Sequence, residues 1–316
     1  MNGSHVTRRE VLGAAAGLGV AALATGTARA GKDDTPKEPF GYSFNTATIM
    51  GQKLPVVEQV EIAAKAGYQG FEPWIRDLDA YVKDGGSLKD LGKRIADRGM
   101  KVEDAIGFCE WIVDDDDRRR KGLEEAKRCM DMVQQIGGKR LAAPPVGATT
   151  QTDLNLLKAA ERYRELLEAG LKIGVVPQVE HWGHSKSISR VGEAALVAME
   201  SGRGEGCVLA DVFHLYKGGS GFTGLNLLGG RALGIFHIND YPAKPVRAEI
   251  KDEHRVYPGD GVAPLGQLLR DLYAIGYRGM ISLELFNRDY WKQDAALVAR
   301  TGLEKMRAVV RKAFGG

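Results

Sequence analysis

Short apolar runs alternate with longer amphipathic stretches from residue 40 to the end of the chain. The short runs are typical of β-strands, and the longer stretches carry apolar residues at helical spacing. The predicted strands are residues 40–46, 68–74, 101–108, 140–144, 174–180, 208–213, 233–239 and 280–286. The predicted helices include residues 56–66, 88–98, 118–136, 154–169, 191–201, 264–275 and 295–314. Eight strands that alternate with helices predict a single α/β domain folded as a (β/α)8 TIM barrel.

An open, doubly wound sheet is the alternative fold for such a chain. That fold usually has a glycine-rich phosphate loop after its first strand, and no such loop follows residue 46. Segments 66–72 and 275–280 also resemble each other, since each runs from a helix end through glycine into a strand. The 316 residues suit one large barrel, and no segment marks a boundary between two domains.

Residues 1–30 have the pattern of a twin-arginine export signal. Arginines at positions 8 and 9 precede an apolar, alanine- and glycine-rich stretch, and residues 28–30 read Ala-Arg-Ala, a cleavage pattern. The alternatives are an uncleaved membrane anchor and an ordinary helix, but the apolar stretch is shorter than the roughly 20 residues that span a membrane. We therefore expect an exported, periplasmic protein with a linker at residues 31–39 and a catalytic barrel at residues 40–316.

Charge and composition narrow the classes of function. The 44 basic and 41 acidic side chains are interspersed and give a formal net charge of +3, which provides no basic surface for nucleic acid. After the signal, no run is apolar enough to cross a bilayer, so we expect no membrane segment in the mature protein. Cys109, Cys129 and Cys207 are widely spaced and form no CxxC motif, which predicts buried, inert thiols.

Four ionisable residues stand at the ends of four consecutive predicted strands: Glu180, Asp211, His237 and Glu284. Reactive side chains of a (β/α)8 barrel lie at the carboxyl ends of its strands. Taken singly, each residue could be a salt-bridge partner or a core histidine, but together they favour a shared cation that neutralises buried carboxylates. Three carboxylates and one imidazole suit one divalent cation, Mn²⁺ first, with Mg²⁺, Co²⁺ and Zn²⁺ as alternatives.

The chain resembles the xylose-isomerase-like superfamily of sugar phosphate isomerases and epimerases over residues 40–314. This superfamily includes ketose 3-epimerases, hydroxypyruvate isomerases and inosose dehydratases. The resemblance rests on Glu180 after an apolar strand, Asp211-x-x-His214, His237 followed by Ile-Asn-Asp, Pro258-Gly259-Asp260-Gly261, and Leu283-Glu284. It implies a metal ion held by the four strand-end residues, with Glu180 and Glu284 also acting as acid and base. These motifs are specific for the superfamily and weak for the substrate.

Proton transfer next to a carbonyl agrees with those roles. The reaction requires an acid, a base and a group that stabilises the charge of the enediolate. A chelated cation stabilises that charge as a Lewis acid, and Glu180 and Glu284 supply the acid and the base.

Several further residues are candidates for contacts with substrate. His214 resembles the family's substrate-contacting histidine, and the alternative is that it orients Asp211. Glu72 could bind a substrate hydroxyl or close a salt bridge across the barrel mouth. His184 could touch substrate beside the metal site, and Arg255 could bind a phosphate or carboxylate or be a solvated charge at the rim.

Aromatic residues in the loops after the strands could pack on the C–H face of a sugar. Trp182 is predicted to bind substrate in this way, and Trp74, Phe108 and Trp111 are placed similarly, with core packing as the alternative.

Two positions depart from the pattern of the ketose epimerases. Lys186 stands six residues after Glu180, where those enzymes carry Glu, and Ala243 stands six residues after His237, where they carry Arg. Both are positions that grip the substrate, so the resemblance does not extend to free ketohexoses.

We therefore predict a metal-dependent isomerase or epimerase that forms an enediolate from a small ketose or hydroxy-keto acid. The alternatives are a lyase or dehydratase on the same scaffold and a carbohydrate-binding protein without activity. An endonuclease of the superfamily would need more histidines than this chain has, and it would need a basic groove, which the balanced charge does not indicate. The expected partner is a small carbohydrate, and a homo-oligomer is left open.

Overall fold

The computed structural model describes residues 38–315, and within this range it contains a sheet of seven parallel strands. The predicted export signal, residues 1–30, lies outside the described residues. The strands follow the spatial order β2-β1-β7-β6-β5-β4-β3. They are β1 Gly41–Asn45, β2 Gly70–Glu72, β3 Arg140–Ala143, β4 Val176–Glu180, β5 Val208–Asp211, β6 Leu233–Ile238 and β7 Met280–Leu283. The predicted single TIM barrel is confirmed.

The predicted strand at residues 101–108 is not a regular strand, although its segment still lies between β2 and β3. It forms isolated parallel bridges from Lys101 to Gly70 and from Ile106 to Trp74. On its other side, the backbone N–H of Ala142 donates to Ala105 O at 2.9 Å. Between these contacts Asp104 is fully buried, and residues 102–105 form no β-bridge to a neighbouring strand. The segment thus closes the barrel at the place of an eighth strand without a continuous ladder.

All seven predicted helices are present, and the structure adds two that the pattern missed. The missed helices, α2 and α7, begin one to three residues after strands β2 and β5, inside or beside segments predicted as strands. The helices are α1 Val56–Ala66, α2 Ile75–Lys83, α3 Leu88–Asp97, α4 Asp116–Gln135, α5 Leu156–Ile173, α6 Val191–Glu200, α7 Val212–Gly218, α8 Leu265–Ala274 and α9 Ala295–Ala313.

Alternation along the strands separates an outer core from the barrel interior. In β6, Phe236 and Ile238 belong to the large core that the helices share, while Ile235 packs in a smaller cluster with Leu209 and Ala142. Because neighbouring residues of a strand point to opposite faces, His237 lies on the same inward face as Ile235. Polar residues can therefore occupy the interior without disturbing the apolar packing against the helices.

The remaining structural expectations concern cysteines and membrane segments. Cys109, Cys129 and Cys207 are free and buried, as predicted. Within residues 38–315, no helix is both long enough and apolar enough to span a membrane.

The loop after β6 is organised around the buried carboxylate of Asp240. Its Oδ1 accepts from the backbone N–H groups of Tyr241 and Ala263 at 2.8 and 2.9 Å, and its Oδ2 from those of Gly259 and Gly261 at 3.0 and 3.1 Å. Burial nevertheless raises the pKa of Asp240. This carboxylate connects the end of β6 to the Pro-Gly-Asp-Gly turn that precedes α8.

Replacement of Asp240 by Ala should destabilise the protein by roughly 2–4 kcal/mol, because four backbone donors lose a buried acceptor. Urea unfolding should show the loss. Asp260→Ala is the control, since Asp260 lies in the same turn but pairs with partly exposed Lys305. Its cost should stay below about 1 kcal/mol. Equal losses for the two variants would contradict the role given to Asp240.

Candidate metal centre

The four predicted metal ligands lie at the carboxyl ends of adjacent strands. Glu180 and Asp211 are the last residues of β4 and β5, His237 is the next-to-last residue of β6, and Glu284 directly follows β7. Strand register sets Asp211 opposite His237, and His237 opposite Ser282 of β7. All four side chains are buried. The barrel therefore directs them to one polar region at its carboxyl-terminal end.

Asp211, His237 and Glu284 form the closest group within this region. One ligand atom from each lies within 4.8 Å of the others. His237 Nδ1 is 3.1 Å from Glu284 Oε2 and 3.8 Å from Asp211 Oδ2. Burial alone would lower the pKa of His237, but the charges of Glu72 and Glu284 outweigh it and raise the pKa well above its usual value. Opposite charges thus stabilise each other in a region closed to solvent.

Glu180 stands slightly apart and faces the cavity above this group. It is not one of the three residues whose ligand atoms cluster, but it lines the same cavity as Glu284. Burial and the charge of Glu284 raise the pKa of Glu180 to about 8. Burial, the larger cause, and the negative charge of Glu284 both disfavour the ionised form of Glu180.

Arg255 bridges two of the predicted ligands from the loop before α8. Its Nη1 donates to Asp211 Oδ2 and to Glu284 Oε2, each at 2.9 Å, and its Nη2 donates to Asp252 Oδ1 at 2.6 Å. The guanidinium is fully buried and lies over the rings of Phe213 and Phe286. The prediction of a solvated charge at the rim is therefore wrong. The nitrogens Nε, Nη1 and Nη2 of Arg255 all contact carboxylates or His214, so none of them is directed to a phosphate.

Neighbouring amides and backbone groups fix the carboxylates. Asp211 caps α7, where its Oδ1 accepts from the backbone N–H of His214 at 2.8 Å, and its Oδ2 accepts from Asn239 Nδ2 at 2.8 Å. Asn45 Nδ2 donates to Glu284 Oε1 at 3.2 Å. The sequence reasoning missed Asn45 and Asn239 as site residues. Asn239 stands in the quoted His-Ile-Asn-Asp motif, and Asn45 is the last residue of β1, near the end of the first predicted strand.

A cavity of about 250 Å³ opens above the carboxylates. Its apolar wall is formed by Trp74, Ile106, Phe108, Trp182 and Phe286, and its polar wall by Glu180, His184, His214, Asp252, Arg255 and Glu284. The predicted substrate residues His214, Trp182, His184 and Arg255 all line this cavity. Burial and the charge of Arg255 lower the pKa of His214 well below its usual value, so its imidazole is neutral.

Two other predicted residues do not face the cavity. Trp111 is buried against Tyr163 and donates from Nε1 to Pro144 O at 2.9 Å, which is the core-packing alternative. Glu72 is fully buried and is not part of the cavity wall. Its Oε1 accepts from His237 Nε2 at 2.8 Å, so it closes a salt bridge inside the barrel rather than binding a substrate hydroxyl there.

The donor set fits a divalent cation. Carboxylate oxygens and one imidazole nitrogen approach one another closely enough to share an ion, and both are donor types that divalent cations bind. The second nitrogen of His237 is engaged by Glu72, which leaves Nδ1 directed toward Asp211 and Glu284. The residues present are thus compatible with the predicted metal site.

Comparisons with known proteins agree with this architecture. The chain matches the family described as "xylose isomerase-like TIM barrel" over residues 60–309. The inosose isomerase of Bacillus velezensis is 29% identical over 281 residues, which cover 86% of this chain and 97% of that protein. The 3-dehydroshikimate dehydratase of Pseudomonas aeruginosa is 27% identical over 276 residues, which cover 84% of this chain and 41% of that protein.

A solved structure of similar fold contains a metal ion. The crystal structure of IolI protein with a zinc atom superimposes on this chain with a TM-score of 0.81 and 25% sequence identity. The match covers 88% of this chain and 100% of the IolI chain. These relatives include an isomerase and a dehydratase, so the similarity is to enzymes that differ in reaction.

Replacement of Arg255 by Met should destabilise the metal-free protein by roughly 3–5 kcal/mol, because buried Asp211 and Glu284 lose their common cation. Urea unfolding in the presence of a chelator measures this loss. Arg288→Met is the control, since exposed Arg288 pairs with Glu253 at the surface, and its cost should stay below about 1 kcal/mol. A loss for Arg255→Met no larger than the control would contradict the assigned role.

Proposed function

Because the chain belongs to the xylose isomerase-like TIM barrel family, we propose that it is a divalent-metal-dependent sugar isomerase or epimerase. It moves a proton on a carbon next to a carbonyl through an enediolate. The observation that carries this proposal is the convergence of Asp211, His237 and Glu284 beneath a cavity that Glu180 also lines. Similarity to inosose isomerase and to a zinc-containing structure supports the same reading.

Asp211, His237, Glu284 and Glu180 would hold the cation. When bound, the cation acts as a Lewis acid that polarises the carbonyl and stabilises negative charge on oxygen. Mn²⁺ suits three carboxylates and one imidazole, and Zn²⁺ accepts the same donor types.

Glu180 and Glu284 are the proposed acid and base. Both carboxyl groups line the cavity, where a substrate carbon can lie beside them. Burial and the charge of Glu284 raise the pKa of Glu180 in the metal-free protein, which favours its protonated form before a cation binds. His214 lies on the cavity wall, and a substrate oxygen that binds it would replace one of its two ring contacts, with the N–H of Gly183 at Nδ1 or with Arg255 Nη2 at Nε2.

The cavity favours a neutral sugar with an apolar face. Trp74, Phe108 and Trp182 provide ring surfaces for C–H groups. The centroid of the Phe108 ring lies 5.1 Å from that of Trp74 and 5.9 Å from that of Trp182. The guanidinium of Arg255 is already paired with Asp211, Glu284 and Asp252, so it offers no free charge for a phosphate. We therefore favour an unphosphorylated keto sugar as the substrate.

A dehydratase is the second candidate, and the similarity to 3-dehydroshikimate dehydratase favours it. The same proton abstraction next to a carbonyl then precedes loss of an oxygen at the β-carbon. The two reactions differ in product: elimination gives a conjugated carbonyl that absorbs ultraviolet light, whereas isomerisation or epimerisation does not.

Metal-loaded protein should exchange hydrogen for deuterium at the carbon next to the carbonyl when incubated in D₂O with its substrate. NMR should follow this exchange across neutral keto sugars, including inosose and open-chain ketoses, and also 3-dehydroshikimate. Glu180→Gln should slow exchange roughly 10²- to 10⁴-fold, the usual contribution of general acid–base catalysis. Glu200→Gln, at the exposed end of α6, is the control and should keep the wild-type rate.

Absence of exchange with every substrate in this set, by protein that does contain metal, would contradict the proposed proton transfer. Exchange accompanied by ultraviolet absorbance would instead select the dehydratase.

Purified protein should bind about one divalent ion per chain. At a free concentration 100 times Kd, the ion should stabilise the fold by about 2.7 kcal/mol. Elemental analysis and thermal unfolding after chelation and reloading measure both effects. Asp211→Asn should lose most of the bound ion, whereas Asp260→Asn, at the exposed turn, should retain it. If both variants retained the same amount of bound ion, the result would contradict the role of Asp211 as a metal ligand.

A further inference from the structure

Behind the candidate metal centre lies a second group of buried acidic residues. Glu72, Asp104 and His237 each offer a ligand atom within 4.8 Å of the others, and all three side chains are fully buried. The comparisons and the family resemblance assign no role to Asp104. Because His237 belongs to both groups, the chemistry of this second group bears on the first.

A second metal ion is one explanation of this group, but the geometry opposes it. His237 Nε2 lies 2.8 Å from Glu72 Oε1, and a hydrogen bond at this distance accounts for the contact without an ion. Glu72 Oε2 is also engaged, since it accepts from the hydroxyl of Ser282. Both oxygens of Glu72 thus have protein donors.

The orientation of His237 follows from these contacts. With its Nε2–H donating to Glu72, the imidazole directs Nδ1 toward Asp211 and Glu284, at 3.8 and 3.1 Å. Histidine ligands of metals commonly donate their other N–H to a carboxylate, which sets the ring orientation and makes the ligating nitrogen more basic.

We propose that Glu72 is a positioning residue that holds His237 with Nδ1 facing the candidate metal site. This inference rests on the proposed function, since it assigns Glu72 a role in the affinity for the metal. Of the two roles expected for Glu72 from sequence, it corresponds to the salt bridge and not to binding of a substrate hydroxyl. Glu72 acts through His237 and has no contact with the cavity.

Asp104 provides a matched control beside Glu72. Asp104 lies in the same buried group as Glu72 and offers a ligand atom within 4.8 Å of those of Glu72 and His237, and Asn has nearly the same size and shape as Asp. The two acids are equally buried, but among the described residues only Glu72 is hydrogen-bonded to His237.

The first experiment measures divalent-ion affinity by competition with a chromophoric chelator, using Mn²⁺ and Zn²⁺. Glu72→Met removes the acceptor at similar volume and should weaken affinity about 10- to 100-fold. Glu72→Gln retains an oxygen that can accept from Nε2–H, so its affinity should fall between those of wild type and Glu72→Met. Asp104→Asn should bind like wild type. Wild-type affinity in folded Glu72→Met, or an equal loss in Asp104→Asn, would overturn the proposal.

The second experiment observes the hydrogen bond without any metal. Protein labelled with ¹⁵N-histidine should show a slowly exchanging, downfield Nε2–H signal from His237 in wild type and in Asp104→Asn. Through-bond correlations within the ring distinguish it from a signal of Nδ1–H, which lies 3.1 Å from Glu284 Oε2. The Nε2–H signal should persist in Glu72→Gln and disappear in Glu72→Met. If Glu72→Met does not fold, the wild-type signal and the affinity of Glu72→Gln still decide, because absence of the signal in wild type would overturn the proposal.

The two experiments separate this inference from the proposed function. A wild-type protein that shows the signal but binds neither ion would contradict the metal-dependent function and leave the contact between Glu72 and His237 intact. A wild-type protein that binds metal, with unchanged affinity in Glu72→Met, would contradict the positioning role and leave the function intact.

Discussion

Charge balance inside a closed barrel is the constraint on which the rest of the site depends. Asp211, Glu284 and Glu72 are buried carboxylates, and isolated buried charges cost several kcal/mol each, as an order of magnitude. His237 and Arg255 supply the compensating charge: His237 lies between Glu72 and Glu284, and Arg255 bridges Asp211 and Glu284. Glu180 is a further buried carboxyl group, whose pKa is raised by burial and by the charge of Glu284. A divalent ion is the group that would complete this balance.

Strand alternation makes the arrangement compatible with a stable fold. The outward residues of β4 to β7 pack against helices, while the inward residues carry the polar groups. Apolar residues of the loops then cover the polar end, so the same cavity has a charged floor and an aromatic wall. Low polarity around the carboxylates strengthens every interaction between charges there, which suits a reaction that develops negative charge on oxygen.

Much of the fold and part of the site could be predicted from local patterns. Apolar runs correctly predicted seven strands, and residues at or near the strand ends identified the four candidate ligands. Both features are visible in short stretches of sequence, because they depend only on residues close to one another in the chain. The segment at 101–108 reads as a strand but loses its ladder around Asp104, which is buried beside Glu72. Arg255 reads as a rim charge because its partners, Asp211 and Glu284, are distant in sequence. The contact between Glu72 and His237 likewise joins strands β2 and β6, which no local pattern relates.

Anomalous diffraction from crystals soaked in Mn²⁺ would test the central claim most directly. The account predicts a single strong peak within roughly 2.0–2.3 Å of carboxylate oxygens from Asp211 and Glu284 and of His237 Nδ1, with Glu180 completing the set. Absence of a peak at this position, with Arg255 still bridging Asp211 and Glu284 in protein that shows activity, would contradict it.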